Sequence, residues 1–227
     1  MTLRFAKSTL FVSTRDEWDR NMLTRRSAPI SETLGSISPL DGITILIAWL
    51  SCITVTLFLL PNAQGIVGAS LAVLMIAIAY VDTRRFIIPN ELTAAAVALG
   101  FLHGAIQDSG SVVEALANAA LRGAILAFAF LTLRILYRRL RGRDGIGLGD
   151  VKLAGVAGVW VDWWVLPAVI EVAALAALAV YAVRYLFGRR PVRSMRLPFG
   201  LFLAPAIWFG WLLGSAPLSI PSVTFLQ

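Results

Sequence analysis

The segment that decides the fold runs from Ile43 to Leu60 and reads ITILIAWLSCITVTLFLL. It contains no charged residue and would be largely apolar around the whole helix. Its length matches the roughly 17–25 residues that a helix needs to cross a bilayer. Further runs of the same kind follow along the chain, so the sequence predicts a protein that crosses a membrane several times.

The composition favours a membrane protein over a soluble one. Of the 227 residues, 58% are hydrophobic and 15% are charged, whereas a soluble domain has about 25% charged residues. The formal net charge of +7 could indicate nucleic-acid binding. However, the Lys and Arg residues lie in short segments between apolar runs, which is typical of membrane topology signals. We therefore expect contact with membrane lipid and none with nucleic acid.

The apolar runs predict an all-α, polytopic transmembrane bundle of about seven spans. Residues 1–42 form a polar arm that is either disordered or lies on anionic lipid through its arginines. Residues 43–214 form the transmembrane domain, and 215–227 form a short outer tail. The predicted spans lie near 43–60, 65–82, 90–107, 115–137, 150–164, 165–187 and 197–214.

The basic residues predict the orientation of the bundle. If the N-terminus is cytoplasmic, all of the 20 Lys and Arg residues except Arg122 fall on the cytoplasmic side. The three short loops on the other side contain none. Because cytoplasmic loops of membrane proteins are enriched in Lys and Arg, we expect the N-terminus inside and the C-terminus outside.

Two aspartates lie at the same predicted depth. Asp82 ends the second span and Asp150 opens the fifth, so both fall at the cytoplasmic boundary of the bilayer under this orientation. The residues alone leave ordinary explanations open. Asp82 could pair with Arg84 or Arg85, and Asp150 could be the N-cap of its helix, a position that aspartate favours.

A catalytic pair is the alternative. A carboxylate at the edge of hydrocarbon is costly to keep charged, and two adjacent carboxylates can share one proton. The deprotonated member can take a proton from a water molecule that attacks a peptide carbonyl, while the protonated member donates to the carbonyl oxygen. This chemistry requires no metal and no cofactor.

The residues beside the two aspartates fit such a use. Gly147 and Gly149 allow backbone conformations closed to other residues and a close approach to a substrate strand. Pro89 interrupts the helix soon after Asp82 and leaves a short irregular loop.

Three short motifs occur in a fixed order. They are an aspartate followed by Ile-Pro-Asn (Asp82, then 88–90), Gly-Leu-Gly-Asp-Val-Lys (147–152), and Leu-Pro-Phe-Gly (197–200). In this order and with this topology they resemble the prepilin leader peptidases of type IV pilus and type II secretion systems. Those enzymes belong to the GxGD class of membrane aspartyl proteases.

The resemblance implies cleavage of the leader segment of a prepilin or pseudopilin at the cytoplasmic face of the bacterial inner membrane. It implies that Asp82 and Asp150 are the catalytic pair. Lys152 either tunes Asp150 or anchors at lipid headgroups, and we favour the anchor. The residues that support the motifs are Pro89, Asn90, Gly147, Gly149, Lys152, Pro198, Phe199 and Gly200.

The cysteine content indicates which members of the family the chain resembles. Larger members of the family carry a cytoplasmic domain with paired Cys-x-x-Cys motifs, which is associated with methylation of the new N-terminus. Cys52 is the only cysteine here, so the chain resembles short members such as those serving tight-adherence (Flp) pili. A peptidase without N-methyltransferase activity is therefore expected.

Two other functions use the same aspartates. One is a different GxGD protease, of preflagellin or presenilin type. The Pro89-Asn90 turn argues against the presenilin type, while residues 198–200 do not separate pilin from flagellin processing. The other is a cation- or proton-coupled transporter, for which we would expect acids near the bilayer midplane instead of at one interface.

Four further features carry weaker expectations. His103, the only histidine, is expected to be structural. The tryptophans of the 160–164 segment fit an interfacial aromatic belt. Arg122 either pairs with Glu171 or extends to the outer surface, and Glu171 is either a functional acid or a packing residue.

Overall fold

The computed structural model describes residues 39–107, 111–142, 145–187 and 198–215. Nearly all of the predicted arm at 1–42 lies outside these ranges, and so does the predicted tail after its first residue. The chain divides into two compact units, 1–42 and 43–227. The second unit contains both aspartates and all three motifs.

All regular structure in the described residues is α-helical, which confirms the predicted all-α class. The helix boundaries agree with the seven predicted segments to within about four residues. The helices are α1 Pro39–Leu59, α2 Ala63–Arg85, α3 Asn90–Gln107, α4 Val112–Arg141, α5 Leu148–Trp160, α6 Leu166–Leu186 and α7 Gly200–Ser215.

Four of these helices are long and apolar enough to cross a membrane, which makes the chain a multi-pass membrane protein. In the described part of the chain they are α1, α2, α4 and α6. The helix α5 has 13 residues, or about 20 Å at 1.5 Å per residue, which is short of the roughly 30 Å hydrocarbon core. The total of seven spans and the orientation therefore remain predictions.

The interior of the bundle is formed by α2, α5 and α7. The apolar window of α2 is 56% buried, compared with 6% for α1, 11% for α4 and 17% for α6. The short helix α5 contacts α3, α4 and α7, and α7 also packs against α2 and α6. Large core side chains with almost no exposure are Leu71, Met75, Ile78, Leu153, Val156, Leu203 and Ile207.

The outer surface is apolar, as a bilayer requires. Large hydrophobic side chains such as Phe58 and Phe128 are mostly exposed on α1 and α4. A soluble protein rarely exposes apolar patches of this extent. Burial and hydropathy thus both agree with a protein that crosses a membrane several times.

The end of α5 far from Asp150 is fixed by aromatic packing. His103 of α3 stacks on Trp160 with ring centroids 5.3 Å apart, and its Nε2 accepts a hydrogen bond from Nε1 of Trp211 at 3.1 Å. Nε1 of Trp160 donates to the carbonyl oxygen of Ala96 at 2.8 Å. These contacts give His103 the expected packing role.

One expectation at this end is wrong, and one of two alternatives for Arg122 is excluded. Trp160 is buried and so does not belong to an interfacial belt, although Trp164 is 95% exposed and fits one. Arg122 pairs with Asp162 at 3.4 Å instead of Glu171. Because Asp162 is 76% exposed, this pair agrees with the other alternative, in which Arg122 extends towards the surface. The Nε of Arg122 donates to the carbonyl oxygen of Gly158 at 3.1 Å. The partner of Arg122 is therefore Asp162, the acid that follows the end of α5, which the sequence pattern did not indicate. Glu171 is exposed on α6.

The contact between α4 and α5 depends on small residues. A Cβ atom placed on Gly158 would lie 2.5 Å from the carbonyl oxygen of Arg122. A Cβ atom on Gly123 would lie 2.9 Å from Cγ2 of Val159. Helices in membranes gain most of their association from such close packing, because lipid removes the hydrophobic driving force between them.

We expect Gly158→Ala to destabilise the folded protein by about 1–3 kcal/mol, because backbone atoms of α4 would have to move. Gly104→Ala is the matched control, since a Cβ atom there meets nothing within 4 Å. It should be neutral or stabilising by up to about 1 kcal/mol through helix propensity. Thermal unfolding of the purified proteins in detergent would measure both, and equal melting temperatures would contradict the packing argument.

Candidate functional site

The structure brings Asp82 and Asp150 together at one end of the bundle. Asp82 lies in the last turn of α2, and Asp150 lies in the first turn of α5. Their side chains are close enough to interact electrostatically. Asp82 is 5% exposed and Asp150 is partly buried. Two acids from separate parts of the sequence therefore share one weakly solvated site.

The Asp82 carboxylate faces the start of α7. The backbone N–H groups of Gly200 and Leu201 lie close enough to act on it, and a helix N-terminus carries partial positive charge that favours an anion. Its Oδ2 is nevertheless buried, and among the described residues it has no hydrogen-bond partner in suitable geometry. A buried polar atom left in this way is costly. Such atoms are rare in native structures and call for an explanation.

Asp150 takes part in the start of its own helix. Its Oδ2 accepts a hydrogen bond from the backbone N–H of Gly147 at 3.1 Å. Gly147 occupies the N-cap, so Asp150 stands at the third helical position. Asp150 therefore does help to cap its helix, but it does so from the third helical position and not from the N-cap itself. Arg134 of α4 interacts with the Asp150 carboxylate and donates to the carbonyl oxygen of Ile146 at 2.8 Å.

The three sequence motifs meet around Ile88, which is 4% exposed. A Cβ atom on Gly149 would lie 3.0 Å from Cβ of Ile88. A Cβ atom on Gly200 would lie 2.9 Å from Cδ1 of Ile88 and 2.6 Å from Oδ2 of Asp82. Glycine at both positions thus makes room for the Ile88 side chain and, at Gly200, for the Asp82 carboxylate.

The glycines before Asp150 do not have the unusual backbone that we expected. Gly147 has φ −73° and ψ 150°, a conformation open to any residue. Among the described glycines, Gly142 alone has a positive φ. The requirement at Gly149 is therefore for space beside Ile88, and not for backbone freedom.

The turn between Asp82 and α3 begins at Phe86. Phe86 has φ 54° and ψ 35°, and its N–H donates to the carbonyl oxygen of Asp82 at 2.9 Å. A left-handed residue of this kind ends a helix, but it is usually glycine or asparagine. Pro89 follows and is buried, and its carbonyl oxygen accepts from the N–H of Thr93 at 3.2 Å. No sequence signal marks Phe86 for this role.

The remaining motif residues also lie near this end. Lys152 is exposed, and its Nζ donates a hydrogen bond to Oδ1 of Asn90, a contact that the sequence did not predict. Phe199 packs against the core, and its carbonyl oxygen accepts from the N–H groups of Phe202 and Leu203 at 3.0 Å. Pro198 is the first described residue before α7.

The fold and the site define a class, a helical multi-pass membrane protein with paired carboxylates at one end of the bundle. Comparison with known families identifies the class further. Residues 69–183 match the type IV leader peptidase family, so the chain belongs to that family. The matched region contains both aspartates, and it confirms the resemblance seen in the motifs.

Individual relatives agree with this assignment. The chain is 33% identical over 145 residues to a prepilin leader peptidase/N-methyltransferase of Burkholderia pseudomallei (strain K96243), covering 63% of this chain and 45% of the relative. It is 28% identical over 200 residues to one from Aeromonas hydrophila, covering 88% and 64%. It is 31% identical over 132 residues to leader peptidase HopD of Escherichia coli, covering 57% and 82%.

The coverage differs among these relatives. The chain spans about half the length of the bifunctional relatives such as that of Burkholderia pseudomallei, but most of the length of HopD. No solved structure matches the chain.

We expect Ile88→Ala to destabilise the protein by about 2 kcal/mol or more, because it opens a cavity between Gly149 and Gly200. Ile66→Ala removes the same atoms from a side chain that is 64% exposed on α2, and it should cost much less. Thermal unfolding of both variants in the same detergent gives the comparison. Equal destabilisation would show that Ile88 does not hold the junction together.

Proposed function

We propose that this protein is a membrane aspartyl endopeptidase that removes the leader peptide of prepilin-like proteins. The observation that carries the proposal is the convergence of Asp82 and Asp150 at one end of the bundle, where their side chains interact electrostatically and Gly149 and Gly200 pack against Ile88. Membership of the leader peptidase family and the names of the relatives support the same activity.

The arrangement suits water activation by a carboxylate pair. Because two close acids in a weakly solvated site cannot both ionise easily, they hold one proton between them. The ionised member accepts a proton from the attacking water, and the other donates to the oxygen of the scissile carbonyl. We assign the two roles to the pair and not to individual residues, because the proton is shared. Within the described residues the buried Oδ2 of Asp82 has no hydrogen-bond partner, so it retains an unused acceptor position.

The site is proposed to face the cytoplasm from the bacterial inner membrane. Basic residues surround the end of the bundle that holds the aspartates: the last turn of α2 contains Arg84 and Arg85, and the last turn of α4 contains Arg138, Arg139 and Arg141. The short loop after α4 leads directly to Asp150. This enrichment is typical of cytoplasmic membrane faces. In this proposal, the domain formed by residues 43–214 cuts the substrate while its leader lies on the cytoplasmic side of the bilayer.

The proposal is restricted to proteolysis. HopD is named a leader peptidase only, and the chain covers 82% of its length, so N-methyltransferase activity is not part of the proposal. A transporter is less well supported, because Asp82 and Asp150 lie at helix ends and not near the middle of a helix. Among GxGD proteases, the names of the relatives favour a prepilin over a preflagellin or presenilin-type substrate.

Asp82→Asn and Asp150→Asn should each lower the rate of prepilin cleavage by at least about 100-fold, since an amide cannot exchange the proton. The assay uses membranes that contain the protein and a prepilin, with cleavage followed by gel shift. Asp162→Asn is the matched control, because Asp162 follows the opposite end of α5 from Asp150 and is 76% exposed. Cleavage at the wild-type rate by either site variant would refute the dyad.

Gly200→Ala should reduce cleavage at least about tenfold, because the added methyl group would displace the Asp82 carboxylate from its position, and small misplacements are expensive in catalysis. Gly214→Ala serves as the control on the same helix. A Cβ atom there meets only Cγ2 of Val165, at 3.9 Å, so activity should be retained. If the two variants cleave equally fast, Gly200 has no special relation to the site.

A further inference from the structure

A side-chain contact between exposed residues joins two of the sequence motifs. Nζ of Lys152, in the first half of α5, donates a hydrogen bond to Oδ1 of Asn90, the first residue of α3. Both side chains are exposed. The contact connects residues far apart in sequence, whereas most other side-chain hydrogen bonds in the described ranges are local or lie in the interior.

The positions of the two partners relate the contact to the aspartates. Lys152 follows Asp150 by two residues, so the two side chains leave α5 about 200° apart. Asp150 therefore faces Asp82 while Lys152 faces α3. Asn90 follows Ile88 by two residues, and Ile88 fills the space between Gly149 and Gly200. The contact between Lys152 and Asn90 therefore fixes the exposed side of the turn that contains Ile88. The buried side of this turn packs beside Asp82.

The backbone of the turn requires support from neighbouring structure. Phe86 adopts a left-handed conformation, which costs free energy for a bulky residue and persists only where neighbouring structure enforces it. The next fixed point along the chain is Thr93, which bonds the carbonyl oxygens of Pro89 and Asn90. Those bonds stay within α3 and its start, so they do not tie the turn to α5.

We propose that Lys152 is a positioning residue: through Asn90 it holds the Ile-Pro-Asn turn against α5, and so keeps Asp82 in register with Asp150. This inference rests on the proposed peptidase function. It replaces the headgroup anchor suggested by the sequence. An anchor requires only positive charge near the interface, whereas the positioning role requires a donor at 152 and an acceptor at 90.

A set of variants separates these roles. Lys152→Met and Asn90→Leu should each lower kcat for prepilin cleavage about tenfold with little change in KM, because the aspartates lose their alignment. The double variant should be no slower than the slower single variant, since both changes break one contact. Asn90→Asp should retain activity, because a carboxylate also accepts a hydrogen bond from the ammonium group.

Arg139→Met is the matched control for charge. Arg139 is exposed in the last turn of α4, at the same end of the bundle, and its replacement should leave kcat unchanged. If Arg139→Met is as slow as Lys152→Met, general surface charge explains the effect and the positioning role is refuted. Full activity of Lys152→Met, or losses that multiply in the double variant, would refute it as well.

A chemical tether tests the geometry independently of these substitutions. Cys52 is the only native cysteine, so an Asn90→Cys/Lys152→Cys pair can be introduced into a Cys52→Ala protein. A short, reducible bifunctional thiol reagent should join the two positions and restore much of the lost rate, and reduction should remove the gain. Failure to cross-link in the membrane-inserted protein, or a cross-link without any gain in rate, would overturn the proposal.

The same experiment separates this inference from the function on which it rests. If wild-type membranes do not cleave the prepilin, the peptidase assignment is wrong, and the positioning role falls with it. If wild-type membranes cleave and Lys152→Met cleaves equally fast, the peptidase assignment stands and only the positioning role is refuted.

Discussion

The site depends on how closely the start of α7 approaches the end of α2. At Gly200 the α-carbon is so near Asp82 that an added Cβ atom would lie 2.6 Å from Oδ2. The same absence of a side chain makes room for Ile88, which also fills the space beside Gly149. Three helices therefore converge because two positions have no Cβ atom, and the convergence sets the distance between the aspartates.

This packing determines the electrostatics. A carboxylate at the end of a helix normally remains hydrated, but the approach of α7 buries Asp82, and no described residue is a hydrogen-bond partner of its Oδ2. The helix start offers partial positive charge in place of water. Holding two acids together in this environment therefore lowers the free energy of unfolding. Locally unfavourable arrangements of this kind concentrate at functional sites.

Much of this architecture could be predicted from the sequence, because it depends on local patterns. Apolar runs gave helices whose ends were right to within a few residues, and the motifs named both aspartates. Contacts between distant segments were harder, since periodicity contains no information about them. Trp160 was assigned to an interface but is buried against His103, and the sequence did not indicate the contact between Lys152 and Asn90.

The two ends of α5 differ in how tightly they pack and in how well their polar atoms are hydrogen-bonded. At the far end, His103, Trp160 and Trp211 satisfy each other's polar atoms or those of the backbone, and Gly158 packs tightly against α4. At the near end, the buried Oδ2 of Asp82 has no partner in the part of the chain that the structure describes, and the backbone of Phe86 is left-handed. A rigid scaffold that holds a locally unfavourable site is expected when function and stability conflict. The tightly packed end of α5 can therefore offset the cost of the aspartate end, because both belong to one short helix that α4 holds along its length.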